Sequence, residues 1–252
     1  MKNISVIILC LVLFTCKEAS KLKAFTAEDI VNASIEISGG ERFATSNIEF
    51  DFRDKSYLAK RNKGSFLLAR TFTIEEDSVF DILTNEGFER HINDSVNVFV
   101  EDSMAVKYSA SVNSVHYFSV LPFGLNDEAV NKKLLGEEQI KGKMYYKIEI
   151  TFSQQGGGED YEDVFIYWID KISFKADYIA YSYNESDGKG MRFREAYNER
   201  YINDLRFVDY NNYKAINSTT KLTDLGHAFN NNQLKLLSKI ELKNVEVELI
   251  DL

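Results

Sequence analysis

The chain has 252 residues, a formal net charge of −9, 13% aromatic residues, one proline and two cysteines. That acidic balance excludes a basic nucleic-acid footprint and gives no attraction to an anionic membrane surface. The aromatic content favours strands over a helical bundle, and no proline-rich or low-complexity stretch marks a second domain.

The amino terminus carries Lys2 and then an apolar run from Ile4 to Phe14, broken only by Ser5. This suits the apolar region of a signal peptide and falls short of the roughly 20 residues a membrane-spanning helix needs. It ends in Leu13-Phe14-Thr15-Cys16, which resembles the bacterial lipobox. The expectation is removal of residues 1–15 and acylation of Cys16, with palmitate-type chains. Cys10 lies in the discarded part, so the remaining chain would have no thiol beyond the lipidated one. It would hold 29 basic and 39 acidic side chains, a charge of −10. Two or more acyl chains anchor stably, so the membrane is the first expected partner. Residues 17–24 read as a tether, and residues 25–252 as one domain.

An amphipathic helix is expected over 27–38. Thr26 is its N-cap, with Asp29 three residues on, Phe25 and Ile30 stand at staple positions, and Gly39-Gly40 stop it. Five strands follow. Ile48, Phe50 and Phe52 alternate with charged or polar residues, then come 57–61, 66–74, 79–84 and 88–92, separated by turns such as Asn62-Lys63-Gly64 and Asn85-Glu86-Gly87. A second helix is expected over 103–114, where Met104, Tyr108 and Val112 recur every four residues. The apolar stretch from His116 to Leu125 fits neither period. Further strands are expected at 134–140, 146–152, 164–169, 177–183, 191–201 and 205–213. A helical piece from Leu225 to Leu236 then precedes a last strand from Ile240 to Ile250, whose apolar phase flips at Lys243-Asn244, as a bulge would make it. The fold class is mainly β (α+β): a curved antiparallel sheet forming an incomplete β-barrel, covered by an N-terminal and a middle helix.

The three histidines, His91, His116 and His227, show no ligand spacing, and no catalytic motif occurs. Gly156-Gly157-Gly158 lacks the Lys-Ser/Thr of a phosphate loop. No catalytic residue, metal site or cofactor is therefore expected. What remains is apolar: Tyr117, Phe118, Val120, Leu121, Phe123 and Leu125 surround the single proline, Pro122. They read either as core filling or as the lip of a hydrophobic cavity.

Three segments carry a resemblance: His116-Tyr117-Phe118-x-x-Leu121-Pro122-Phe123, Lys143-Met144-Tyr145-Tyr146-Lys147-Ile148-Glu149-Ile150, and Val164-Phe165-Ile166-Tyr167-Trp168-Ile169-Asp170 with Tyr178. The chain resembles a lipoprotein-carrier (Lol-type) half-barrel, of the shape found in lipoproteins of the Bacteroidota. The resemblance implies an incomplete barrel that holds acyl chains. On this reading Met104, Tyr108, Tyr117, Phe118, Leu121, Phe123 and Trp168 are candidate lining residues for a lipid or other hydrophobic small molecule. The expected location is the cell envelope, lipid-anchored at the outer membrane, with either membrane face open. The alternative is a non-catalytic structural or protein-interaction module of the envelope, with a filled core.

Overall fold

The computed structural model describes residues 24–93, 98–156, 161–185 and 188–250. The expected signal peptide and Cys16 lie outside these residues.

Helix α1 (Ala27–Ile37) begins at Thr26, whose hydroxyl accepts from the Asp29 amide at 3.1 Å while Asp29 accepts from the Thr26 amide at 2.9 Å. That reciprocal pair satisfies two amides with no partner inside the helix. Gly39 stops the helix at φ 128°, and a Cβ there would stand 2.6 Å from Leu205 Cδ2, so both backbone angle and packing require glycine. Phe25 packs edge-on against Phe174 and Tyr146.

Thirteen strands lie in two antiparallel sheets among the described residues, which do not close into a barrel. The first sheet contains β1 (Thr45–Phe52), β2 (Lys55–Asn62), β3 (Ser65–Ile74), β4 (Asp77–Thr84) and β5 (Gly87–Ile92), with β13 (Lys243–Leu249) beside β1. The second runs in order from β6 (Val130–Ile140) through β7 (Lys143–Phe152), β8 (Phe165–Asp170), β9 (Ala176–Glu185), β10 (Gly188–Ile202) and β11 (Leu205–Ala215) to β12 (Leu234–Ile240). The mainly β, antiparallel, helix-covered architecture is the one expected from the alternating segments.

Two expectations at the carboxyl end need correction. The helical piece does not reach Leu236: α3 covers Leu225–Asn230, and β12 begins four residues later. Asn232 takes the left-handed conformation at φ 56°, and β12 then pairs with β11, so ladder hydrogen bonds override the helical preference of a Leu- and Lys-rich segment. The final strand starts later than expected: Ile240 closes β12, the chain crosses between the sheets at Glu241-Leu242, and β13 begins at Lys243. The bulge itself is present. Between the pairs Glu49–Glu246 and Asp51–Lys243, β13 carries one residue more than β1, and Asn244 stands at φ 50°.

The second sheet is covered on both faces. Ile148, Ile150, Tyr167 and Ile169 pack inward against Ile30, Val31, Leu121 and Leu125. Ile166, Trp168, Tyr178 and Phe193 pack outward beneath Leu225 and Phe229 of α3. All six residues of β8 are consequently buried, and the strand reads as a continuous apolar run rather than an alternating one. Lys132 of β6 pairs with Glu28 at 2.9 Å and ties α1 to the edge of this sheet.

Helix α2 (Asp102–Ser119) packs on the first sheet and runs five residues beyond its expected end. His116, in its last turn, is fully buried edge-on against the stacked rings of Phe50 and Tyr57, with Nε2 3.0 Å from the Ala69 carbonyl oxygen. Burial pushes its pKa down to about 4, so it is neutral near pH 7 and holds the helix as a hydrogen-bond donor. Among the described residues no helix is long and apolar enough to cross a membrane.

Candidate functional site

The two sheets diverge beneath α2 and leave an open cleft of about 1160 Å³ between them. This is larger than the roughly 300–1,000 Å³ of ordinary small-molecule pockets. Phe52, Phe66, Leu83 and Phe88 form the wall given by the first sheet. Phe152, Phe165, Tyr181, Val208 and Tyr210 form that of the second. Helix α2 supplies a strip of Ala105, Ser109, Ala110, Asn113 and Ser114, ending in Tyr117 and Phe118.

That strip explains how the cleft stays open. Positions 109, 110, 113 and 114 share one helical face with Val106, and none of them carries a large side chain. The opposite stripe holds the helix down: Tyr108 packs against Phe88, with its ring 3.8 Å from the Arg90 guanidinium, Ser111 accepts from Arg70 at 2.7 Å, and Val112 is buried in the core. The four-residue repeat of Met104, Tyr108 and Val112 therefore marks the face toward the first sheet. The signal for the cleft was the run of small residues beside it.

Of the seven candidate lining residues, the structure brings Tyr117 and Phe118 together in the cleft wall. Their rings meet edge-on at 5.6 Å, and Phe118 also contacts Tyr181 at 5.4 Å and Phe165 at 6.1 Å. The other five lie elsewhere. Leu121 is 4% exposed in the core under α1, and Phe123 packs on Phe43 at 5.3 Å. Met104 is half-buried outside the cleft, and Tyr108 faces Phe88 and Arg90. Trp168 sits on the opposite face of its sheet, with Nε1 donating to Glu138 at 2.9 Å, so it cannot line this cleft. The 116–125 run thus divides: Tyr117 and Phe118 edge the cleft, whereas His116, Leu121 and Leu125 are buried in the core.

The sequence reading missed the charged floor of the cleft. Arg192 and Arg194 lie on the inner face of β10, whereas Phe193 between them points outward to α3. The Arg194 guanidinium stands 3.8 Å from the Phe118 ring centre and 4.9 Å from that of Tyr181, and Nη2 donates to the Tyr181 hydroxyl at 2.9 Å. Nearby, burial raises the hydroxyl pKa values of Tyr117 and Tyr167 above the ordinary phenol range, so both remain protonated. Among the described residues no group of three or more His, Cys, Asp or Glu side chains is placed to hold a metal ion.

Fold and cleft together define a two-sheet, helix-covered β protein with an aromatic-walled groove. The chain belongs to DUF6503, a family of unknown function, whose model matches residues 2–242. No curated protein matches the sequence. Among solved structures, a LolA superfamily protein from Nitrosomonas europaea is 14% identical at a TM-score of 0.48, covering 91% of this chain and 96% of that one. A DUF1329 family protein from Desulfovibrio piger is 11% identical at a TM-score of 0.42, covering 88% and 93%. The lipoprotein LppX from Mycobacterium tuberculosis is 13% identical at 0.27, covering 65% and 90%.

Proposed function

We propose that this protein is a lipid-anchored component of the bacterial cell envelope that binds a lipid or another hydrophobic ligand in the cleft between its sheets. The observation that carries this reading is the cleft itself. A volume of about 1160 Å³ walled by Phe52, Phe66, Phe88, Phe152, Phe165 and Tyr181 exposes apolar surface that a structural module would bury by closing the sheets. The small residues of α2 hold that space open, and among the described residues no acid–base or nucleophile–base pair is arranged in the cleft. The function is binding. Anchoring rests on the sequence alone, on the apolar run ending at Cys16, and places the cleft near a membrane. Cys16→Ala should move the chain from the membrane to the soluble fraction; a variant that stays with the membrane would refute the anchor.

A neutral fluorescent probe such as phenylnaphthylamine should bind the full chain saturably. Ala110→Trp places a large ring in the cleft from the small face of α2, and should weaken that binding about tenfold or more while the melting temperature is kept. A wild-type chain that binds no apolar probe overturns the reading. So does an Ala110→Trp variant that binds as well as wild type.

A further inference from the structure

The geometry points to an acyl lipid with a free carboxylate as the ligand of this cleft, its carboxylate taken by Arg194. The inference deepens the proposed hydrophobic-ligand function and rests on it. Arg194 is 7% exposed, yet among the described residues no carboxylate lies within ion-pair distance of it. Its Nε and Nη1 atoms have no hydrogen-bond partner. A buried cation without a counter-ion is costly unless something supplies negative charge, and protein interiors seldom leave one so. What this one has instead is ring faces, chiefly Phe118 and Tyr181, whose negative quadrupoles attract it weakly.

The surroundings select the charge and size of the partner. The cleft lining carries three arginines, Arg53, Arg192 and Arg194, against two aspartates, Asp102 and Asp163, in a chain whose net charge is −9. A locally positive floor in an acidic protein is a place for an anion. The Tyr117 and Tyr167 hydroxyls stay protonated, so they add no competing negative charge. The unpartnered nitrogens are closed off beneath Phe118, so the group that reaches them must be small and terminal. A carboxylate at the end of an acyl chain meets that condition, whereas a phosphodiester flanked by glycerol and a head alcohol does not. On entry Phe118 rotates aside, and a cation–π contact is exchanged for stronger charge-assisted hydrogen bonds. The acyl chain then lies along the aromatic walls.

The test is displacement of the neutral probe from the full chain by oleate, methyl oleate and dioleoyl phosphatidylglycerol. Oleate should compete at least about tenfold more strongly than its methyl ester, which has the same chain and no charge. Arg194→Met, which keeps the packing of the stem, should remove that preference while the ester competes as before. Equal competition by oleate and ester overturns the carboxylate site and leaves the apolar cleft standing. Stronger competition by the phospholipid than by oleate also overturns it. If the probe itself does not bind, the hydrophobic-ligand function falls and this inference with it. The comparison of oleate with its ester on the wild-type chain decides the matter even if Arg194→Met fails to fold.

Discussion

Leu121→Asp is expected to unfold the protein. Leu121 is 4% exposed and packs in the cluster formed by Ile30 and Val31 of α1, Leu125, and the inner residues of β7 and β8. No cation pairs with the position, so a carboxylate there is either desolvated and charged or forced to take up a proton. Either way the cost is several kcal/mol, on top of the lost burial of the leucine side chain. Folded domains hold only about 5–15 kcal/mol in total. Loss of the cooperative thermal transition near physiological temperature is the expected observation. Ile172→Asp is the matched control: Ile172 is 93% exposed, and the same change there should stay within about 0.5 kcal/mol. A folded Leu121→Asp chain with an unshifted melt would place this side chain in open space, on the cleft wall, the other of the two positions open to it from sequence.

Asp81→Ala should be nearly as damaging, for a different reason. The Asp81 side chain is fully buried on β4, accepting from Arg70 Nε at 2.9 Å and from Arg90 Nε at 2.6 Å. Both cations also reach α2, Arg70 through Ser111 and Arg90 through the Tyr108 ring. Removing the carboxylate strands two guanidinium groups in a poorly solvated layer, a loss of about 3–5 kcal/mol. For a protein of this size that corresponds to a fall of about 6–20 °C in melting temperature. The helix that walls the cleft should loosen with it, so probe binding should drop in parallel. Adding Arg70→Met and Arg90→Met removes the stranded charges and should recover most of the stability. A loss below about 1 kcal/mol in Asp81→Ala would show that the triad contributes little.

Local chemistry made much of the architecture legible. The Thr26–Asp29 capping box needs only residues three apart, and Ile48, Phe50 and Phe52 declare their strand by period alone. Each turn announced by Asn and Gly separates two strands, and its glycine takes the left-handed backbone the turn requires, Gly64 at φ 94° and Gly87 at φ 133°. Even the bulge at Asn244 was written in a phase flip. What no local pattern could say is that the chain changes sheets just before this strand, at Glu241-Leu242, since a phase flip looks the same whether the partner changes or merely slips.

Beyond that, the sequence by itself determined a β-rich, helix-covered chain with an apolar run beside its second helix, and the tertiary structure decided which side of each element faced what. Helix α2 has two working faces. Tyr108 and Val112 pack on the first sheet while Ser109, Ala110, Asn113 and Ser114 face the cleft, so the pattern most visible in sequence marked the wrong side for binding. Trp168 was apolar and central, yet it belongs to the outer layer because α3 covers that face of the second sheet. Arg194 was invisible for the same reason. On a sheet with one solvated face, a charged residue beside Phe193 would point to water. Here both faces are covered, Phe193 is drawn under α3, and the alternation of the strand turns the arginine inward. The period of two is local, but which phase counts as inside is fixed only when α3 and α1 dock on opposite faces.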